Sequence, residues 1–243
     1  MKVPDNVGSI LRWLESRGTA RNREGMARFG IHSAKAFGVS MVTMRPLVRR
    51  LGRNHDLAVG LWETEWLEAR ILAGFIADPR RVTPAQMDRW CRGFDNWAVC
   101  DSTCIHLFSR TPHAWRKVPI WSRRRDEFVR RAGFALLAAL AVHDKQAPDA
   151  LFVRGLALVK QTADDKRNFV KKAVNWALRQ IGKRNQALNV KAVALSRQLA
   201  SSAQAAPRWI GKDALRELTN KEVVRRLQSP TASAVRAGRR RGP

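Results

Sequence analysis

Cysteine is scarce in this chain of 243 residues, acids are outnumbered more than two to one by bases, and long apolar runs are missing. Cys91, Cys100 and Cys104 fit neither a disulfide framework nor paired CxxC zinc ligands, so they read as small apolar residues. The best membrane candidate, Ala132 to Val142, is 11 residues long against the ~20 a span requires, and reads as part of a buried helix. The N-terminal stretch carries Asp5 and Glu15 and has no apolar core leading to a cleavage site. A cytoplasmic protein without membrane contact is therefore expected. The five histidines are scattered and no HExxH, Walker-type loop or GxGxxG occurs, so neither metal nor cofactor is expected. No segment alternates apolar and polar residues as a half-buried strand would.

What is abundant is positive charge: 46 Lys and Arg against 20 Asp and Glu, a formal +26. Such an excess calls for a polyanionic partner, with nucleic acid the natural one. Residues 1–110 hold 17 basic and 11 acidic residues, whereas 111–243 hold 29 and 9, so the later part is expected to face phosphate. At 45% hydrophobic residues the chain can still bury a core.

Helical periodicity dominates. Trp62, Trp66, Ala69, Ala73 and Ile76 recur at steps of four, three, four and three, predicting one apolar stripe on a single helix that Asp78-Pro79 ends. Thr83-Pro84-Ala85-Gln86 predicts a capping box with Gln86 reaching back, and Thr219 to Glu222 repeats the pattern. Further helices are expected at about 96–108, 124–142, 148–160, 167–181, 185–201 and 208–217, with short loops between. Roughly ten modest helices without a heptad seam predict an all-α fold, an α-solenoid of antiparallel helix pairs, although no clean repeat period is visible. Residues 1–228 read as one domain, and 229–243 as a basic, disordered tail.

Three segments carry candidate chemistry. In DNWAVCD, Trp97 and Asp101 lie four apart and share one helix face. In FVRRAGFALL, Arg130 and Arg131 run into an apolar helix, and arginine suits phosphate through its planar fork. In NFVKKAVNWALRQIGKRN, Phe169, Ala173, Ala177 and Ile181 form an apolar stripe, and Lys172, Asn175 and Arg179 a polar one with Trp176 at the margin.

Together with GLWETEWLEARILA, these segments resemble the AlkD-like DNA alkylation repair glycosylases, built of HEAT-like helical repeats, over about residues 27 to 227. The resemblance implies that Trp97, Asp101 and Trp176 face the damaged nucleotide and that Arg131 contacts phosphate, with Arg130 an adjacent alternative. It also implies a concave basic face on which Lys171, Lys172, Arg179, Lys183 and Arg184 neutralise phosphates. Asn96 stands where some members carry a second tryptophan, Phe128 is smaller than their aromatic, and the Arg131–Trp176 connection is longer. The activity implied is excision of cationic N3- or N7-alkylated purines from duplex DNA by a monomer, with Asp101 stabilising an oxocarbenium-like sugar and orienting water. The competing reading is a catalytically inactive solenoid binding distorted or branched DNA or RNA; a protein scaffold fits the charge less well.

Overall fold

The computed structural model describes residues 5–228, and every regular element among them is helical. Fourteen α-helices are present there, more and shorter than the roughly ten expected. The chain divides into two compact units, Met1–Leu140 and Ala141–Pro243, at a point where the sequence offers no boundary. The basic tail expected over 229–243 lies outside the described residues.

The first unit holds α1 (Val7–Glu15), α2 (Ala20–Arg28), α3 (Met41–Leu51), α4 (His55–Glu63), α5 (Leu67–Ile76), α6 (Pro84–Arg92), α7 (Trp97–His106) and α8 (Ala114–Trp121), with most of α9 (Glu127–His143). Six of these starts carry a side-chain cap: Asn6, Thr19, Ser40, Asn54, Thr83 and Asn96 each accept an amide of the first turn. The capping box foreseen at Thr83 forms by half. Its hydroxyl takes the Gln86 amide at 3.1 Å, but the Gln86 side chain is buried and its Nε2 finds no partner.

The single stripe expected from Trp62 to Ile76 is broken in two. Glu65 adopts a positive φ of 64° and the Thr64 hydroxyl bonds the Leu61 carbonyl, so α4 stops and the chain restarts at α5. Trp62 consequently stacks on Trp90 of α6 at 4.1 Å, whereas Trp66 stacks on Phe37 at 3.9 Å. Helix α5 is the hub of this unit, with Leu67, Ala69, Ile71, Leu72, Ala73 and Ile76 in the core and α1, α3, α4 and α7 packed against it.

Glu68 of α5 has no solvent exposure, although it is a carboxylate. Its oxygens accept the backbone amides of Phe37 (3.0 Å), Gly38 (2.7 Å) and Val39 (3.0 Å). Three charge-assisted bonds of this kind replace the lost hydration and fix the segment that leads into α3. Gly38 is required there: its φ is +82°, and a Cβ would lie 2.4 Å from the Thr19 carbonyl oxygen. Helix α2 buries no residue and hangs from the same segment, through Asn22 Nδ2 to the Gly38 carbonyl (2.8 Å) and Arg23 to the Phe37 carbonyl (3.0 Å).

The second unit holds α10 (Asp149–Thr162), α11 (Asn168–Gly182), α12 (Gln186–Ala200), α13 (Ala205–Leu218) and α14 (Lys221–Gln228). α12 and α13 approach closely at Gly211, where a Cβ would lie 2.2 Å from the Ala200 nitrogen. α11 packs on α10, α12 and α13. Thr219 does not open α14 as its spacing suggested. Its hydroxyl bonds the Leu215 carbonyl and closes α13, and Asn220 takes the Glu222 amide instead.

Replacing Glu68 with Gln leaves one acceptor oxygen and turns donors toward donors. We expect the loss of about 3 kcal/mol of unfolding free energy in a urea titration; an unchanged midpoint would show that these amides do not depend on the carboxylate.

Candidate functional site

Asn96 starts α7 by accepting the Val99 amide at 3.0 Å, which puts half-buried Trp97 at the first helical position and Asp101 one turn on. The Trp97 Nε1 donates to the Phe29 carbonyl at 2.9 Å, tying α7 to the end of α2. α9 lies alongside α7: the Cys104 Sγ is 3.7 Å from the Ala132 carbonyl oxygen and the Cys100 Sγ 3.8 Å from that of Phe128. Arg131 therefore emerges on the inner face of α9, among buried Val129, Ala132, Phe134 and Ala135.

There it meets Asp101 in a two-point clamp, Nε to Oδ1 at 2.9 Å and Nη2 to Oδ2 at 2.6 Å. The side-chain exposures are 7% for Arg131 and 16% for Asp101, so the guanidinium is shut in and the acid is only slightly less enclosed. Burial pushes the Asp101 carboxyl above the usual aspartate range, against the opposing pull of Arg131. For Arg131 burial is again the largest single effect and lowers the guanidinium, but the charge and hydrogen bonds of Asp101, with Cys100 and Cys104, together raise it. A phosphate contact was expected of Arg131; in the structure its guanidinium is engaged by Asp101 at two points. Arg130, half-buried, sends its Nε to the Arg124 carbonyl at 2.6 Å. Exposed Arg123, Arg124 and Arg125 precede α9, and that run was the overlooked signal for a basic surface in this unit.

The three thiols are buried and unpaired by disulfides. Burial raises all three pKa values, those of Cys91 and Cys100 most strongly.

In the second unit, Trp176 on α11 is half-buried, with exposed Lys172 one turn before it. Lys171 places its Nζ 4.8 Å over the ring of Trp209, which is 39% exposed. The remaining cations are engaged within the fold. Arg179 and Lys183 both donate to Glu217 of α13, and Arg179 also lies 3.8 Å from Asp213. Asn175, expected on the polar face, is buried and donates to Asp213 at 2.7 Å. Arg184 caps the Ala141 and Ala147 carbonyls and lies 4.3 Å over Phe152. Of the five cations read as a phosphate-facing row, Lys171 and Lys172 have no carboxylate partner among the described residues. Arg179 and Lys183 are instead paired with acids on α13, distant in sequence, and Arg184 is held by backbone carbonyls.

Residues 10–218 match the model of the family described as DNA alkylation repair enzyme. The chain belongs to the DNA alkylation repair enzyme family. A solved structure described as "a new family of proteins related to the HEAT-like repeat DNA glycosylases with affinity for branched DNA structures" superimposes with a TM-score of 0.74 at 24% identity. It covers 87% of this chain and 94% of its own, and the likeness shows that the repair-family fold here is the HEAT-like helical repeat. A designed armadillo repeat protein in complex with the peptide (KR)4 gives a TM-score of only 0.29 at 16% identity, covering 95% of this chain and 88% of that one. No curated protein matches. Among the described residues of this family member, no group of three or more His, Cys, Asp or Glu is arranged to hold a metal ion.

Two outcomes follow from these ion pairs. Arg131→Met leaves Asp101 buried without its partner and lowers unfolding free energy by about 3–5 kcal/mol, most of which the double variant with Asp101→Leu restores. Equal losses in the single and double variants, measured in urea at pH 7, would refute the clamp. Burial opposes ionisation of Glu217, but the bonds from Lys183 and Arg179 prevail and hold it below the ordinary range. Its stabilising contribution is thus complete above the unfolded value of about 4.3 and is lost as pH falls through the depressed one. Glu217→Gln is expected to flatten that acid limb in a stability-against-pH series.

Proposed function

We propose that the chain is a DNA glycosylase that releases N3- or N7-alkylated purines from duplex DNA, with Asp101 at its centre. The observation that carries this reading is a carboxylate fixed by Arg131 at two points, with a side chain 16% exposed, one helical turn from half-buried Trp97. Membership of a DNA alkylation repair family supports alkylated DNA as the substrate class.

The chemistry needs little more. A purine alkylated at N3 or N7 carries positive charge, so the C1′–N9 bond can break with its electron pair passing to the base, which leaves neutral. The sugar becomes oxocarbenium-like, and a water adds at C1′ as it gives up a proton. A carboxylate has about four acceptor sites, of which Arg131 occupies two; the others can face the sugar cation and take the water's hydrogen bond. In this reading Arg131 acts as a positioning residue that holds the carboxylate. Trp97 offers a π-face to the developing charge. Arg130 with the neighbouring arginines in one unit, and Lys171, Lys172 and Trp176 in the other, serve as further DNA contacts, which position the duplex without reading sequence.

A second reading has its own support. The solved structure at 24% identity belongs to proteins with affinity for branched DNA, so a chain of this fold can also act as a binding protein for such junctions.

Release of free 7-methylguanine or 3-methyladenine from methylated duplex DNA separates the two. The wild type is expected to release base, and an Asp101→Asn variant that still binds duplex is expected to release none. Because burial raises the Asp101 pKa and the ionised form is the working one, activity should fade on acidification at a pH above the ~3.9 of an exposed aspartate. Tight binding with no base release by the wild type would leave the branched-DNA reading standing.

A further inference from the structure

Helix α2 forms one wall of a cleft of about 970 Å³ in the first unit, near the upper end of the volumes in which small molecules bind. Asn22, Gly25, Met26 and Phe29 recur on it at helical spacing, with Arg21 and Arg28 beside them, and Ile31, Met41 and Trp97 complete the apolar lining.

Three features of this wall are unexplained by folding. Phe29 is 73% exposed, a large aromatic that no core has taken up. Gly25 sits in the middle of α2, where glycine costs about 1 kcal/mol against alanine, yet a Cβ there would meet nothing within 4 Å. Packing therefore gives no reason for the gap. Arg21 and Arg28 flank it, both exposed.

We propose that this cleft receives an unpaired nucleotide of DNA, its base against Phe29 and Met26 and its flanking phosphates on Arg21 and Arg28. An exposed aromatic beside exposed arginines is the pattern that binds single strands, because every base has a π-face and every linkage a phosphate. The missing side chain at Gly25 lets the strand approach the helix. Glu24, on the same wall, is the one acid among the described residues lining the cleft; its oxygens can accept from the exocyclic amino group of cytosine or adenine. The formal charge of +26 favours a nucleic-acid occupant over an apolar peptide. Trp97, whose Nε1 is held by the Phe29 carbonyl, joins this cleft to the helix that carries Asp101. Binding an unpaired nucleotide needs no bond cleavage, so this site stands or falls separately from base excision.

The test compares a nicked duplex bearing a short single-stranded flap with the same duplex fully paired, by fluorescence anisotropy. The wild type should prefer the flap about tenfold, the order of one stacked base. Phe29→Ala keeps the backbone carbonyl that Trp97 uses and should abolish the preference while paired-duplex affinity changes less than about twofold. Gly25→Leu fills the gap with a better helix former, so its melting temperature should hold or rise while the preference disappears. Equal binding of both DNAs by the wild type, or undiminished flap preference in both variants, would overturn the proposal. Base release measured on the same preparations reports on excision alone, so failure of either reading is recognised without the other.

Discussion

Glu68 is a carboxylate with no exposure, and a charge taken out of water must have its hydration replaced or the fold does not tolerate it. The replacement comes from three consecutive backbone amides, Phe37 to Val39, and that geometry decides where the chain can go next. α3 starts immediately after the segment, and α2 is fastened to its carbonyls because it has no buried residue of its own. Trp97 then reaches back to the end of α2, so the orientation of one candidate site residue traces through two hydrogen-bond relays to a side chain in the core. Asp88 and Asp101 repeat the device nearer the surface. Asp88 accepts Lys117 Nζ and Trp121 Nε1 to join α6 to α8, and Asp101 with Arg131 joins α7 to α9.

Cations divide accordingly into two populations. Some are joints: Arg131, Lys117, Arg179, Lys183 and Arg184 are engaged by acids or carbonyls within a unit. Others, such as Arg21, Arg28, Lys172 and the run Arg123 to Arg125, lie at the surface. Net charge alone does not separate them, and a description of the DNA-facing surface must begin from the second population.

Much of the later chain could be read in advance, since α9 to α13 begin and end within about three residues of the periodic stretches that announced them. Early helices were harder. α2 has no apolar stripe to announce it, and α3 and α8 each contain a proline, Pro46 and Pro119, that reads as a breaker. The Trp62–Ile76 stripe misled because a helix–turn–helix can preserve apolar spacing across its turn; only the positive φ at Glu65 reveals the break. For the site, the Trp97–Asp101 pairing followed from spacing, whereas the Arg131 clamp did not. Which face of α9 turns inward is settled by contacts with α7, some thirty residues distant in sequence. Glu68 was invisible for the same reason: nothing local marks an acid on a helix as one that will be buried against a distant loop.

The three cysteines acquire a meaning from the family in which they occur. Alkylating agents that damage purines also attack sulfur, and they do so through the thiolate. Cys91, Cys100 and Cys104 are enclosed in the core, and burial keeps them protonated. A member of a DNA alkylation repair family thus keeps every thiol among its described residues enclosed, away from the electrophiles that alkylate DNA.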